Sequence, residues 1–154
     1  MLAAFGDGML EGMGDKATLI DGYESSYAFT MNKRFVAARK EIEDAVSASA
    51  VPELYRKRMD VGFGLMLDNR YNVRGGWHSD PKDFYANHFT PKEWSNSLYF
   101  SMLNADRYVW IWNENSGAVS FANIGENGKP ANVHQDYYKA MRSARRPRSM
   151  KVGR

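Results

Sequence analysis

Three apolar runs in this chain stop at acidic or polar residues. ATLI runs into Asp21, Gly22, Tyr23 and Glu24; VGFGLML runs into Asp68, Asn69 and Arg70; YVWIW runs into Asn113 and Glu114. A charge just past a buried strand is costly unless it faces water or a ligand. Carboxylates so placed can move protons or hold ligand hydroxyls, and the tyrosines and tryptophans beside them can stack on a planar or sugar ring. Tyr23 and Tyr27 flank Glu24 with rings and hydroxyls, and Trp110 or Trp112 precedes Glu114 as a platform. Each acid also has a plainer role. Asp21 suits capping of its own turn, Asp68 suits pairing with Arg70, and Glu114 suits a solvated loop.

These side chains need elements to place them. Residues 3–12 read as a short helix broken by glycines, and Ala17–Ile20 as a short strand. Thr30 can cap a helix whose residues Phe35, Ala38, Ile42, Ala45, Val46 and Ser49 share one face. Pro52 opens a second helical turn. Val61–Leu67 is apolar throughout, as a strand buried on both faces must be, and Gly62 and Gly64 imply close approach of a neighbour. Residues 69–89 form a long polar loop carrying Arg70, Trp77, His78 and His88. Thr90, Pro91 and Glu93 make a capping box for the next helix. Tyr108–Trp112 is a strand by composition, 115–131 a Gly/Asn/Pro-rich loop, and Val133–Arg145 a last helix.

Strands alternating with helices give parallel βαβ units, so the fold expected is α/β with three parallel strands. Three units are too few for a closed barrel, which takes about eight. They leave two sheet edges that invite another chain. The expectation is therefore the C-terminal part of a larger barrel, a sheet completed by a partner chain, or a small domain stable alone.

The runs LIDGYESSYAF, VGFGLMLDNR and DRYVWIWNE resemble the last three strand ends of bacterial (β/α)8-barrel proteins related to glycoside hydrolases. AFGDGMLEGM is similar to the helix before the first of them, so the likeness covers residues 3–114. Two features depart from that pattern: five preceding βα units are missing, and the segment after Glu114 is glycine-rich. The resemblance implies a partial (β/α)8 barrel, expected over residues 1–146; the run of basic residues makes 147–154 a tail expected to be disordered. The resemblance also implies a sugar site. Glycoside hydrolysis takes two carboxyl groups, about 5 Å apart in retaining enzymes and about 6.5–9.5 Å in inverting ones. Glu24, Glu114 and Asp68 are then the catalytic candidates. Asp21, Tyr23, Tyr27, Arg70, Trp77, His78 and Trp112 are the candidates for binding a carbohydrate substrate, with Trp77 and His78 in a lid. The chain alone would be inactive, because half the constellation is absent. A non-catalytic carbohydrate-binding or scaffold domain is the alternative.

Composition bounds the remaining classes. The 154 residues contain no cysteine, so thiolate chemistry is excluded. His78, His88, Asp80 and Asp83 match no metal-binding spacing, so neither metal nor cofactor is expected. No apolar run approaches the roughly 18 residues of a membrane span. From Lys139 onward there are seven basic and no acidic residues, leaving 14 basic and 18 acidic before it. Such a tail can bind nucleic acid, but no aromatic interleaves it after Tyr138, which argues against that use. Nothing in the sequence fixes the cell compartment.

Overall fold

The segment 59–66 organises the chain. The computed structural model describes residues 2–70, 76–114, 120–124, 128 and 130–145; the expected basic tail, 147–154, lies outside them. Helix α1 (Leu2–Gly12) leads to strand β1 (Leu19–Asp21), and α2 (Asn32–Asp44) and α3 (Pro52–Arg58) lead to β2 (Met59–Val61) and β3 (Phe63–Met66). Then come α4 (Pro91–Asn104), β4 (Val109–Trp112), β5 (Ser120–Ile124), β6 (Pro130–Ala131) and α5 (Gln135–Ala144). The protein is α/β, and its first four strands are parallel. β1 pairs with β2 (Leu19 opposite Met59), and β3 pairs with β4 (Phe63 opposite Val109, Met66 opposite Trp112).

The run expected as one strand is thus two short ones that exchange partners at Gly62. Backbone bonds tie the two ladders together there. The Gly62 amide donates to the Asp21 carbonyl (2.8 Å) and the Gly64 amide to the Gly22 carbonyl (3.2 Å). On the other side, the Phe63 amide donates to Tyr108 (3.3 Å) and the Asp106 amide to Val61 (2.9 Å). Three chain segments therefore lie side by side, with 59–66 in the middle.

One face of this sheet is the core. Val61, Phe63, Leu65 and Leu67 are buried against Phe35, Ala38 and Ile42 of α2, Trp94 and Leu98 of α4, and Tyr137 and Ala140 of α5. Phe35 stands edge-on to both Phe29 and Phe63, with ring centroids 5.2 Å apart in each case, a favoured aromatic geometry. Alternation along the strand selects these odd-numbered residues for the core.

Three polar devices fix the helices. Thr90 and Glu93 form both arms of the expected capping box. Thr30 does not cap α2; that helix starts at Asn32 behind an extended Met31 with no side-chain cap. Asp106 serves instead as a clamp: its carboxylate accepts from the Val61 amide (2.8 Å) and from Arg39 (2.8 Å), while Arg39 also donates to the Asn104 carbonyl (2.7 Å). Burial alone would raise the Asp106 carboxyl, but the Val61 amide and Arg39 outweigh it and hold it below the usual carboxylate range. The end of α1 is held by the nearly buried Arg58, which donates to the carbonyls of Leu10 and Met13 and pairs with Asp15 (2.6 Å).

The segment 115–131 is not wholly loop. β5 and β6 form an antiparallel pair with an irregular register, and Gly128 takes φ +70°, a turn conformation that favours glycine.

Candidate functional site

The sheet's second face is aromatic. Ile20, Gly22, Gly62, Gly64 and Met66 share it with Trp110 and Trp112, which the register sets opposite Gly64 and Met66. The Trp110 indole lies flat across three glycines. A methyl group on Gly22 would sit 2.3 Å from Trp110 Cη2, and one on Gly62 would sit 3.1 Å from Cζ3. One on Gly64 would sit 2.4 Å from Tyr27 Cε1. These contacts supply the close neighbour that glycines at 62 and 64 imply.

The carboxyl ends of the parallel strands point the same way but are staggered: β1 ends at Asp21 opposite Val61, and β3 and β4 end together at Met66 and Trp112. At β1 the Asp21 carboxylate accepts from the Tyr23 amide (3.0 Å), the turn-capping role open to it from sequence. Tyr23 then takes a left-handed conformation (φ 39°, ψ 70°), which swings the chain into a 3₁₀ turn at Glu24–Ala28. That turn folds over β3, where the buried Ser26 hydroxyl donates to the Gly64 carbonyl (2.7 Å). Glu24 stands at its start, exposed to water.

The left-handed residue separates two rings that the sequence sets on either side of Glu24. Tyr23 turns toward the helix layer and donates its hydroxyl to Glu41 of α2 at 2.5 Å. That bond, with burial and the Glu41 and Asp21 charges, raises the Tyr23 phenol above its ordinary value. Tyr27 turns to the aromatic face, where burial and then Glu24 raise its phenol.

Asp68 follows β3 and is withdrawn from water, with 2% of its surface exposed. Trp112 ends β4 with 52% exposed, and Glu114 stands exposed two residues later. Asp68 thus follows the end of β3 and Glu114 the end of β4, where Met66 and Trp112 are paired, and the Glu24 turn lies over the same central strand.

Other candidates sit elsewhere or serve the fold. Trp77 donates its indole N–H to the Asn132 carbonyl (3.0 Å), and its ring packs 5.0 Å from that of Tyr137, so it belongs to the α5 contact. The His78 amide donates to Asn87 (2.9 Å), and its Nδ1 lies 3.9 Å from Asp83. His78 Nε2 is buried without a hydrogen-bond partner among the described residues. Arg70 is exposed beyond Asp68. Among the described residues no group of three or more His, Asp or Glu could hold a metal ion, and no helix is long and apolar enough to cross a membrane.

Sequence reasoning missed Trp110 as the cover of the second face and Met66 as the partner of Trp112. The available signal was glycine at alternate positions of one strand opposite tryptophans at alternate positions of another. Compared with protein-family models, curated proteins and solved structures, the chain finds no match.

Proposed function

We propose that the chain binds carbohydrate at the rim of its parallel strands, as a unit of a glycoside-hydrolase-like (β/α)8 architecture. The observation that carries this reading is Trp112. A half-exposed indole at the end of a parallel ladder, with carboxylates following the ends of both strands of that ladder, suits a sugar ring. Sugars present an apolar C–H face to an indole and hydroxyls to carboxylates. Ligands of α/β proteins gather at the carboxyl ends of the strands.

In this reading Trp112 stacks on the ring while Asp68 and Glu114 accept from its hydroxyls. Glu24 comes from the turn above β3. Tyr27 packs on Gly64 beside Trp110, on the face that carries Trp112. Hydrolysis calls for a proton donor sheltered from bulk water and a second carboxylate. Glu24 and Glu114 are open to water and suit the second role. The isolated chain binds sugar without robust turnover.

Titration calorimetry against a panel of oligosaccharides tests this. Binding by the wild-type chain should weaken about tenfold or more in Trp112→Ala, the loss of one stacking contact of about 1.5 kcal/mol. Failure to bind any sugar, or unchanged affinity in Trp112→Ala, would overturn the proposal. Aryl-glycoside hydrolysis abolished by Glu24→Gln would instead make the chain a complete enzyme.

A further inference from the structure

Both outer edges of the parallel sheet are open among the described residues: β1 pairs with β2 alone, and β4 with β3 alone. The Asp21 carbonyl accepts from Gly62, so alternation turns the amide and carbonyl of Ile20 outward. The Tyr108 carbonyl accepts from Phe63, so those of Val109 and Ile111 point away from β3. Soluble proteins blunt such edges with lysine, proline or a bulge. Neither Leu19–Asp21 nor Val109–Trp112 contains lysine or proline.

A cleft accompanies each edge on the helix side. The one beside β1, about 410 Å³, is walled by Phe5, Met9 and Ile42 and carries Asp7, Asp21 and Glu41 without a cationic side chain. The one beside β4, about 490 Å³, is walled by Leu98, Met102, Ile111 and Met141 and carries Arg142 and Arg145 without a carboxylate. None of these five charged groups has an ion-pair partner among the described residues. Elsewhere in the helix layer several charges are paired, as in Arg39–Glu43, Lys40–Asp44 and Arg58–Asp15. Phe5 and Met9 remain 68% and 42% exposed.

We infer that β4 of one copy adds in parallel to β1 of a second copy. The helix layers then continue side by side, and Arg142 and Arg145 of α5 face the Asp7, Asp21 and Glu41 cleft of the neighbour. Charge decides the pairing. Joining β1 to β1 would set carboxylates against carboxylates, and joining β4 to β4 would set arginines against arginines; only the head-to-tail arrangement matches opposite signs. Head-to-tail contacts close into a ring or extend into a filament according to the rotation between copies. This inference rests on the edges and clefts alone and is independent of the sugar reading.

Sedimentation equilibrium of the whole chain tests it, alongside variants at exposed positions. The wild-type chain should associate beyond its 17.6 kDa mass at low salt, and association should weaken about tenfold or more as ionic strength approaches 0.5 M. Met9→Lys/Glu41→Lys should be monomeric, and so should Arg142→Glu/Arg145→Glu, each with a cooperative melt. Mixing the two variants should restore association, because the unaltered Arg142 and Arg145 cleft of the first then meets the unaltered Asp7, Asp21 and Glu41 cleft of the second. A wild-type chain monomeric at low salt and at the highest soluble concentration would overturn the inference. So would association that survives in either variant, or that is not restored on mixing.

Discussion

Gly64→Ala probes how the aromatic face is held. The added methyl would lie 2.4 Å from Tyr27 Cε1 and 3.0 Å from Trp110 Nε1. Carbon atoms in contact prefer about 3.5–4.0 Å, so the Tyr27 ring must retreat by roughly 1 Å. The strand cannot yield instead. The Gly64 amide is bonded to Gly22 and its carbonyl to Ser26. Overpacking of this kind costs about 1–3 kcal/mol. Replacing glycine within a strand returns about 0.5–1 kcal/mol of backbone entropy. The expected net loss is about 1–2 kcal/mol, or a fall of about 2–8 °C in Tm for a domain of this size. Urea titrations of Gly64→Ala, Tyr27→Ala and the double variant would measure it. In the Tyr27→Ala background, Gly64→Ala should become neutral or slightly stabilising. An equal cost in both backgrounds would refute the packing of Tyr27 on Gly64, and with it this account of how the aromatic face is held.

Three further outcomes follow from other parts of the fold. Gly8 lies within α1 with nothing within 4 Å of an added methyl, so Gly8→Ala should raise stability by about 0.5–1 kcal/mol, read as a higher urea midpoint. Arg58→Ala should cost about 2–3 kcal/mol by removing the partners of the Leu10 and Met13 carbonyls, whereas Asp15→Ala, at the exposed end of the same ion pair, should cost less than about 1 kcal/mol. Burial pushes the Tyr137 phenol up to about 12, against the lowering effect of its bond from Asn87. Its folded value exceeds its unfolded one, so its contribution is complete below about pH 10 and is lost as pH rises toward 12. Chemical denaturation between pH 8 and 12 should show an alkaline loss about 2 kcal/mol smaller in Tyr137→Phe than in the wild type; identical losses would contradict this.

What was legible in the sequence is what local physics decides. The Thr90–Glu93 capping box depends on three adjacent positions, and both of its bonds form. Phe35, Ala38 and Ile42 of α2 are buried as a period of 3.6 requires, but the helix ends at Asp44, so Ala45, Val46 and Ser49 do not continue the buried face; the central strand is buried on both faces, as its unbroken apolar run requires. The reading of Gly62 and Gly64 held because alternate glycines leave a groove that a facing side chain must fill. The partner exchange at Gly62 was not legible, because strand composition does not say which neighbour lies on which side. The split of Tyr23 from Tyr27 was hidden too, since the turn hinges on a left-handed non-glycine residue held by Asp21 and Glu41. The β5–β6 pair was signalled by Asn127–Gly128, a hairpin dipeptide that the glycine-rich composition around it obscured. Of the candidate site, the positions of Asp68, Trp112 and Glu114 came from run endings alone. The burial that distinguishes Asp68 from the other two is tertiary.

The four indole N–H resonances of the chain give a direct reading of the rim. Titrating a bound oligosaccharide in a two-dimensional NMR experiment should shift the Trp112 indole most. Trp94, which is fully buried, should not move, and Trp77, tied to Asn132, should not either. Saturable movement of Trp112 with those two still is the predicted result. No movement of Trp112 across the sugar panel, or movement confined to Trp77, would contradict a carbohydrate site at the strand ends.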